Sequence, residues 1–156
     1  MRITATFTLL ATSAAFCAGM VASPVAEHLI THAYAQTVSL APSIIDIAAI
    51  KEADLPATPN PDLRSKALVV TDNATLAVQV GNVGKHFHSK SDELQYIVEG
   101  TGTAWLGDKK IDIHPGMLIV IPKGTAHAGT VATTGRFKAI AIKIPPQANG
   151  DTTFVE

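Results

Sequence analysis

The sequence predicts an all-β protein, a small barrel or sandwich preceded by a short N-terminal arm. From Lys66 onward, short runs rich in Val, Ile, Thr and aromatic residues alternate with Gly-rich turns at close spacing. Met117 to Ile121 is a continuous apolar run ending at Pro122, which predicts a strand buried on both faces. The length of 156 residues suits one domain, and 47% hydrophobic content is ample for its core.

Residues 1–35 read as a secretory signal peptide. Arg2 supplies the positive start, no charged residue occurs from Ile3 to Ala26, and Ala33-Tyr34-Ala35 forms an A-x-A site before Gln36. The distance from the apolar run to Ala35 is long for a signal. An uncleaved membrane anchor is therefore the competing reading, since the stretch is long enough to span. Cys17 follows Phe16, which lacks the small side chain a lipoprotein site requires. Cleavage at Ala35 removes that only cysteine, so nothing in the mature chain depends on a disulfide. It also removes one of 12 basic and one of 13 acidic residues, leaving 11 against 12. No basic patch remains to hold nucleic acid or, once the signal is gone, a membrane. The expected location is the bacterial periplasm or exterior, and the expected partner is a small molecule.

Residues 36–65 form the arm and a Pro-rich connector. Ser43 precedes Ile44 to Leu55, where the Ile47, Ile50 and Asp54 spacing suits a short helix or an irregular strand, and Pro56, Pro59 and Pro61 then break the pattern. The expected strands are Lys66 to Thr71, Thr75 to Val80, Lys85 to Ser89, Glu93 to Val98, Thr103 to Leu106, Lys110 to Ile113, Met117 to Ile121, Thr125 to Val131 and Arg136 to Ile144. Glu99-Gly100-Thr101-Gly102 is the expected turn between the fourth and fifth. The strand domain covers 66–145 and leaves 146–156 as a tail. No internal repeat or low-complexity tract is present.

Within the strands, His86-x-His88-x4-Glu93 is followed 34 residues after Glu93 by His127. On an extended strand the side chains alternate, so His86 and His88 project the same way. The turn formers Ser89, Lys90, Ser91 and Asp92 reverse the chain and return Glu93 toward that face. A lone His is ordinarily a packed or surface residue. Three imidazoles and a carboxylate at this spacing instead fit one divalent metal. His114, beside Pro115 and Gly116, reads as a turn-flanking surface residue outside the site.

The segments Gly81 to Gly100, containing His86, His88 and Glu93, and Gly116 to His127, containing Pro122, Gly124 and His127, resemble the two signature motifs of the cupin superfamily. The family's trailing Asn is replaced here by Val131. The resemblance implies a double-stranded β-helix, a jelly-roll barrel, in which His86, His88, Glu93 and His127 ligate the metal. It also implies an arm of the kind that packs across a neighbouring subunit, so a homodimer is among the expectations.

Imidazole and carboxylate suit iron, manganese, nickel, cobalt, copper or zinc, and the lack of thiolate argues against a purely structural zinc site. Gln95, two residues beyond Glu93, shares its face and is a candidate to support a ligand or substrate. Tyr96 and Trp105 are candidates for a pocket wall or for the core. No Ser-His-Asp or Cys-His set is present. Two functions stay open: a metal-dependent enzyme acting on a small oxygenated molecule, as dioxygenase, decarboxylase or lyase, or isomerase, and a non-catalytic cupin that binds a metal or a small ligand.

Overall fold

Residues 40–156 are described by the structure, a computed structural model. The expected signal peptide, its A-x-A site and Cys17 lie outside the described residues. Eight strands follow in order: β1 (Leu63–Val70), β2 (Thr75–Gly81), β3 (His86–Phe87), β4 (Asp92–Leu106), β5 (Lys109–Ile113), β6 (Leu118–Ile121), β7 (His127–Ile144) and β8 (Thr153–Phe154). They form one antiparallel sheet in the order β1-β2-β7-β3-β8, with β4 on the other edge of β7 and β5 and β6 paired to β4.

The long strands β4 and β7 pair from Glu93 opposite Lys143 to Leu106 opposite His127. A straight strand running from His127 to Lys143 would span about 50 Å. Yet Lys143 Nζ and His127 Nε2 lie 3.0 and 3.3 Å from the same oxygen of Glu93. The two-stranded ribbon therefore curls round until its ends meet, which is the double-stranded β-helix expected above.

The curl is made by irregular pairing rather than by separate strands. Glu99 to Gly102, expected as a turn, is a run of register shifts inside β4. Gly100 adopts φ 87°, and a Cβ there would sit 2.7 Å from the Arg136 carbonyl oxygen, so only glycine fits the crossing. The strands expected at Thr125–Val131 and Arg136–Ile144 are likewise one strand, β7, because Thr134 stays paired with Thr101 across the bend.

Inward-facing positions change character along the ribbon. Glu93, Gln95 and Ile97 face inward on β4, opposite Lys143, Ala141 and Ala139 on β7. Ionisable groups thus occupy one end, and apolar ones continue into a core of Ile97, Ile113, Ile119, Ile121 and Phe137. Burying each such side chain contributes roughly 2–3 kcal/mol. The expectation for Met117–Ile121 is corrected here: Ile119 and Ile121 are buried, but Leu118 and Val120 are 59% and 58% exposed. Strand β6 pairs only with β4, and no described element covers its outer face. A continuous apolar run does not by itself report whether both faces are covered.

The arm lies on the outer face. Leu55 is buried with Val78 and Val80, and Ile47, Ile50 and Leu68 pack around them. Of the short helix or irregular strand expected at Ile44–Leu55, only a 3-10 turn at Glu52–Asp54 forms. Asp46 accepts from the backbone of Ala48 and Ala49, and Asp54 from that of Lys51. These local bonds compete with a regular helix.

Candidate metal centre

His86 is the first residue of β3 and pairs directly with His127, the first residue of β7. His88 follows on the same face as His86, and Glu93 enters from β4 after the Ser89–Asp92 reversal. All four side chains are buried, and one ligand atom from each lies within 4.8 Å of the others. The rings of His86 and His127 are 4.3 Å apart, and those of His88 and His127 5.3 Å.

Every imidazole is held by its far nitrogen. Nδ1 of His86 meets the Gly84 carbonyl at 2.8 Å, that of His127 meets the Thr125 carbonyl at 2.9 Å, and that of His88 meets the carbonyl of Asp151. A carbonyl only accepts, so each Nδ1 donates and each Nε2 is the nitrogen left facing the centre, the one a cation would use. Nε2 of His127 is buried with no hydrogen-bond partner, a cost of roughly 1–3 kcal/mol for a polar atom taken from water. A cation at this point would remove that cost. The donor set therefore fits a borderline divalent metal.

Electrostatics agree with that chemistry. Burial works against the Glu93 charge, but the imidazoles of His127 and His88 and the ammonium of Lys143 overcome it and hold the carboxyl far below the usual carboxylate range. Burial lowers His86 to about 4, against the opposing pull of the Gly84 carbonyl, so this ring is neutral at physiological pH. A neutral imidazole beside an ionised carboxylate is the protonation state that metal ligation requires.

The sequence reading missed two residues at this centre. Lys143 Nζ lies against His88 Nε2 and 3.0 Å from Glu93 Oε2. Its signal was parity: in the β7 run, Ala139, Ala141 and Lys143 share one face. Burial lowers the lysine's affinity for its proton, and Glu93 opposes that effect. Asp151, from the stretch read as a tail, accepts from the Ser89 and Lys90 backbone and from the Ser89 and Ser91 hydroxyls. It thereby fixes the reversal between His88 and Glu93, and β8 immediately beyond it pairs with β3. No local pattern links Asp151 to His88 across 63 residues.

Of the supporting candidates, Gln95 is at the centre, its amide donating to Glu93 Oε1 at 2.8 Å. Tyr96 is corrected: it is 44% exposed and faces away, because it is one residue out of phase with Gln95. Trp105 does not line the cavity; Lys85 Nζ lies 4.6 Å over its ring. His114 is exposed, as expected. His86, His88 and Glu93 open onto a cavity of about 720 Å3, whose rim includes Thr58, Asn60, Gln147 and Phe154.

A closed β-ribbon with this cluster at one end defines a class, and comparison with known proteins agrees. The family model described as "Cupin domain" matches residues 74–143, a stretch that runs from just before β2 almost to the end of β7. An uncharacterized protein of Methanocaldococcus jannaschii is 32% identical over 71 residues, 46% of this chain and 57% of that protein. The chain thus spans little more than half the length of that curated relative. Among solved structures, a Klebsiella pneumoniae protein with a double-stranded β-helix domain superposes with TM-score 0.57 at 13% identity, over 74% of this chain and 99% of that one. A Streptomyces nucleoside dehydratase superposes with TM-score 0.53 at 16% identity, over 68% and 88%.

Proposed function

We propose that this protein is a metal-dependent cupin enzyme that acts on a small oxygenated molecule by non-oxidative lyase or isomerase chemistry. The observation that carries this reading is the convergence of His86, His88, Glu93 and His127 beside an open cavity, with each histidine's Nε2 turned toward the centre. These four residues would hold one iron, manganese, nickel, copper or zinc ion, which supplies Lewis-acid polarisation of a substrate oxygen when bound. Gln95 orients Glu93. Lys143 adds a cation where negative charge would develop during enolisation or elimination. That the structurally similar Streptomyces protein is a dehydratase supports the non-oxidative choice.

Elemental analysis of the purified protein is expected to find one transition metal per chain, lost in His86→Ala and His127→Ala. Metal content unchanged in both variants would sink the site. Screening hydroxy acids, keto acids and diols with the loaded protein is expected to yield product without oxygen uptake. Uptake would move the assignment to a dioxygenase, and tight binding without turnover to a non-catalytic cupin.

The same proposal includes export to the periplasm or exterior, supported by Arg2, the charge-free run to Ala26 and the Ala33-Tyr34-Ala35 site. N-terminal sequencing of exported material should begin near Gln36. A start at Met1 in a membrane fraction would favour the anchor.

A further inference from the structure

Among the described residues, Lys143 is the single lysine or arginine lining the cavity, and Glu93 the single carboxylate. By themselves the two charges cancel. The ammonium touches the same Nε2 of His88 and the same Oε2 of Glu93 that a metal would use; the His88 nitrogen has a single lone pair, so its ligation displaces Lys143 from that ring. Room for it exists: Lys143, Gln79, Ser65 and Gln147 also line an adjoining lobe of about 210 Å3. Asp151 faces the lysine as well, but its carboxylate is already committed to Ser89, Lys90 and Ser91. With a divalent ion present, Glu93 and the nearby Asp151 together oppose the ion and the ammonium, leaving one net positive charge beside a cavity whose only lining acid is Glu93. Uncompensated buried charge is unfavourable, and an anionic ligand relieves it.

Resting on the metal-dependent reading above, we propose that the cavity selects a small carboxylate anion and that Lys143 is the residue that binds it. Amides rather than further cations surround the lysine, with Gln79, Gln95 and Gln147 as neutral donors. A phosphate dianion is typically met by arginine or by a helix N-terminus, and the cavity wall offers neither. One ammonium with neutral donors matches the single charge of a carboxylate. The substrate class is thus narrowed to hydroxy or keto acids, leaving diols and phenolics outside it.

The test uses the zinc-loaded, full-length protein in low-chloride buffer, with titration calorimetry against lactate, pyruvate and the neutral lactamide. Lactate and pyruvate are expected to bind at least about tenfold more tightly than lactamide, a difference of one charge-assisted contact. Lys143→Gln and Lys143→Met are each expected to keep one zinc per chain and to lose that preference, while Lys143→Arg keeps it. Equal binding of lactate and lactamide by the unaltered protein overturns the proposal without any variant. Undiminished lactate preference in Lys143→Gln or Lys143→Met overturns it too, as does loss of zinc in every Lys143 variant, which would make the lysine part of the metal-holding set. Absence of zinc from the unaltered protein would instead refute the metal reading, and elemental analysis of the same samples separates the two failures.

Discussion

Lys138 and Lys143 lie five residues apart on β7, and both ammonium groups are withdrawn from water, with side chains 4% and 12% exposed. An odd separation on a strand puts them on opposite faces, and there the similarity ends. Lys138 faces outward under the arm, donating to the Ala48 carbonyl at 3.2 Å and to Glu99 at 2.9 Å. Glu99 is itself 55% exposed, so water shares in balancing the charge. Together with Arg136, which reaches Glu52 and Asp62, Lys138 fastens the arm to the sheet. Lys143 faces inward, and its partners are the two groups best placed to bind a metal. Burial alone therefore does not mark a functional lysine; the chemistry and solvation of its partners do.

Removing each lysine's acid should separate the two most clearly. In chelator-treated protein, Glu93→Ala strands a buried ammonium and is expected to cost about 3–5 kcal/mol in urea unfolding. Glu99→Ala leaves its lysine the Ala48 carbonyl and nearby water and is expected to cost under about 1 kcal/mol. Equal losses would erase the distinction.

Acidification probes the inner face next. In the metal-free protein the folded-state pKa of His86 is lowered to about 4 from 6.5, so the unfolded chain binds more protons between those values. Its contribution to stability is present above pH 6.5 and is lost as pH falls toward 4, to a limit of about 3 kcal/mol. Glu93, also depressed, adds its own loss only below its ordinary value of 4.5. Unfolding curves across pH 4.5–6.5 should flatten in His86→Asn and keep their slope in Glu99→Ala. A slope unchanged in His86→Asn would contradict the assignment.

The smallest expected effect concerns the backbone beside His127. Ala128 is buried at φ 67°, a left-handed conformation that costs a residue with a Cβ about 1–2 kcal/mol. Ala128→Gly removes that strain but adds unfolded-state entropy, for a net gain of about 0.5 kcal/mol in thermal unfolding. A clear loss would show that the Ala128 methyl group contributes more through packing than it costs in strain.

Much of this site was legible from local chemistry. The i, i+2 spacing of His86 and His88 fixes their common face on any strand, and the Ser89–Asp92 turn formers return Glu93. The same alternation would have placed Tyr96 outside and Lys143 inside, had it been followed along each strand. Alternation is a property of the backbone and holds whatever the neighbours are. Only the tertiary structure decided that β4 and β7 run unbroken through their bends, because that depends on which distant strand supplies the hydrogen bonds at Glu99–Gly102 and Thr133–Gly135. Closure of that ribbon carries His127 and Lys143, the two ends of one strand, to a single Glu93 oxygen. It equally fell to the fold to bring Asp151 under the His88 loop. Register between strands far apart in sequence leaves no periodic trace in either one, so the sequence determined which residues can bind a metal, and the curl of the sheet decided which other residues face them.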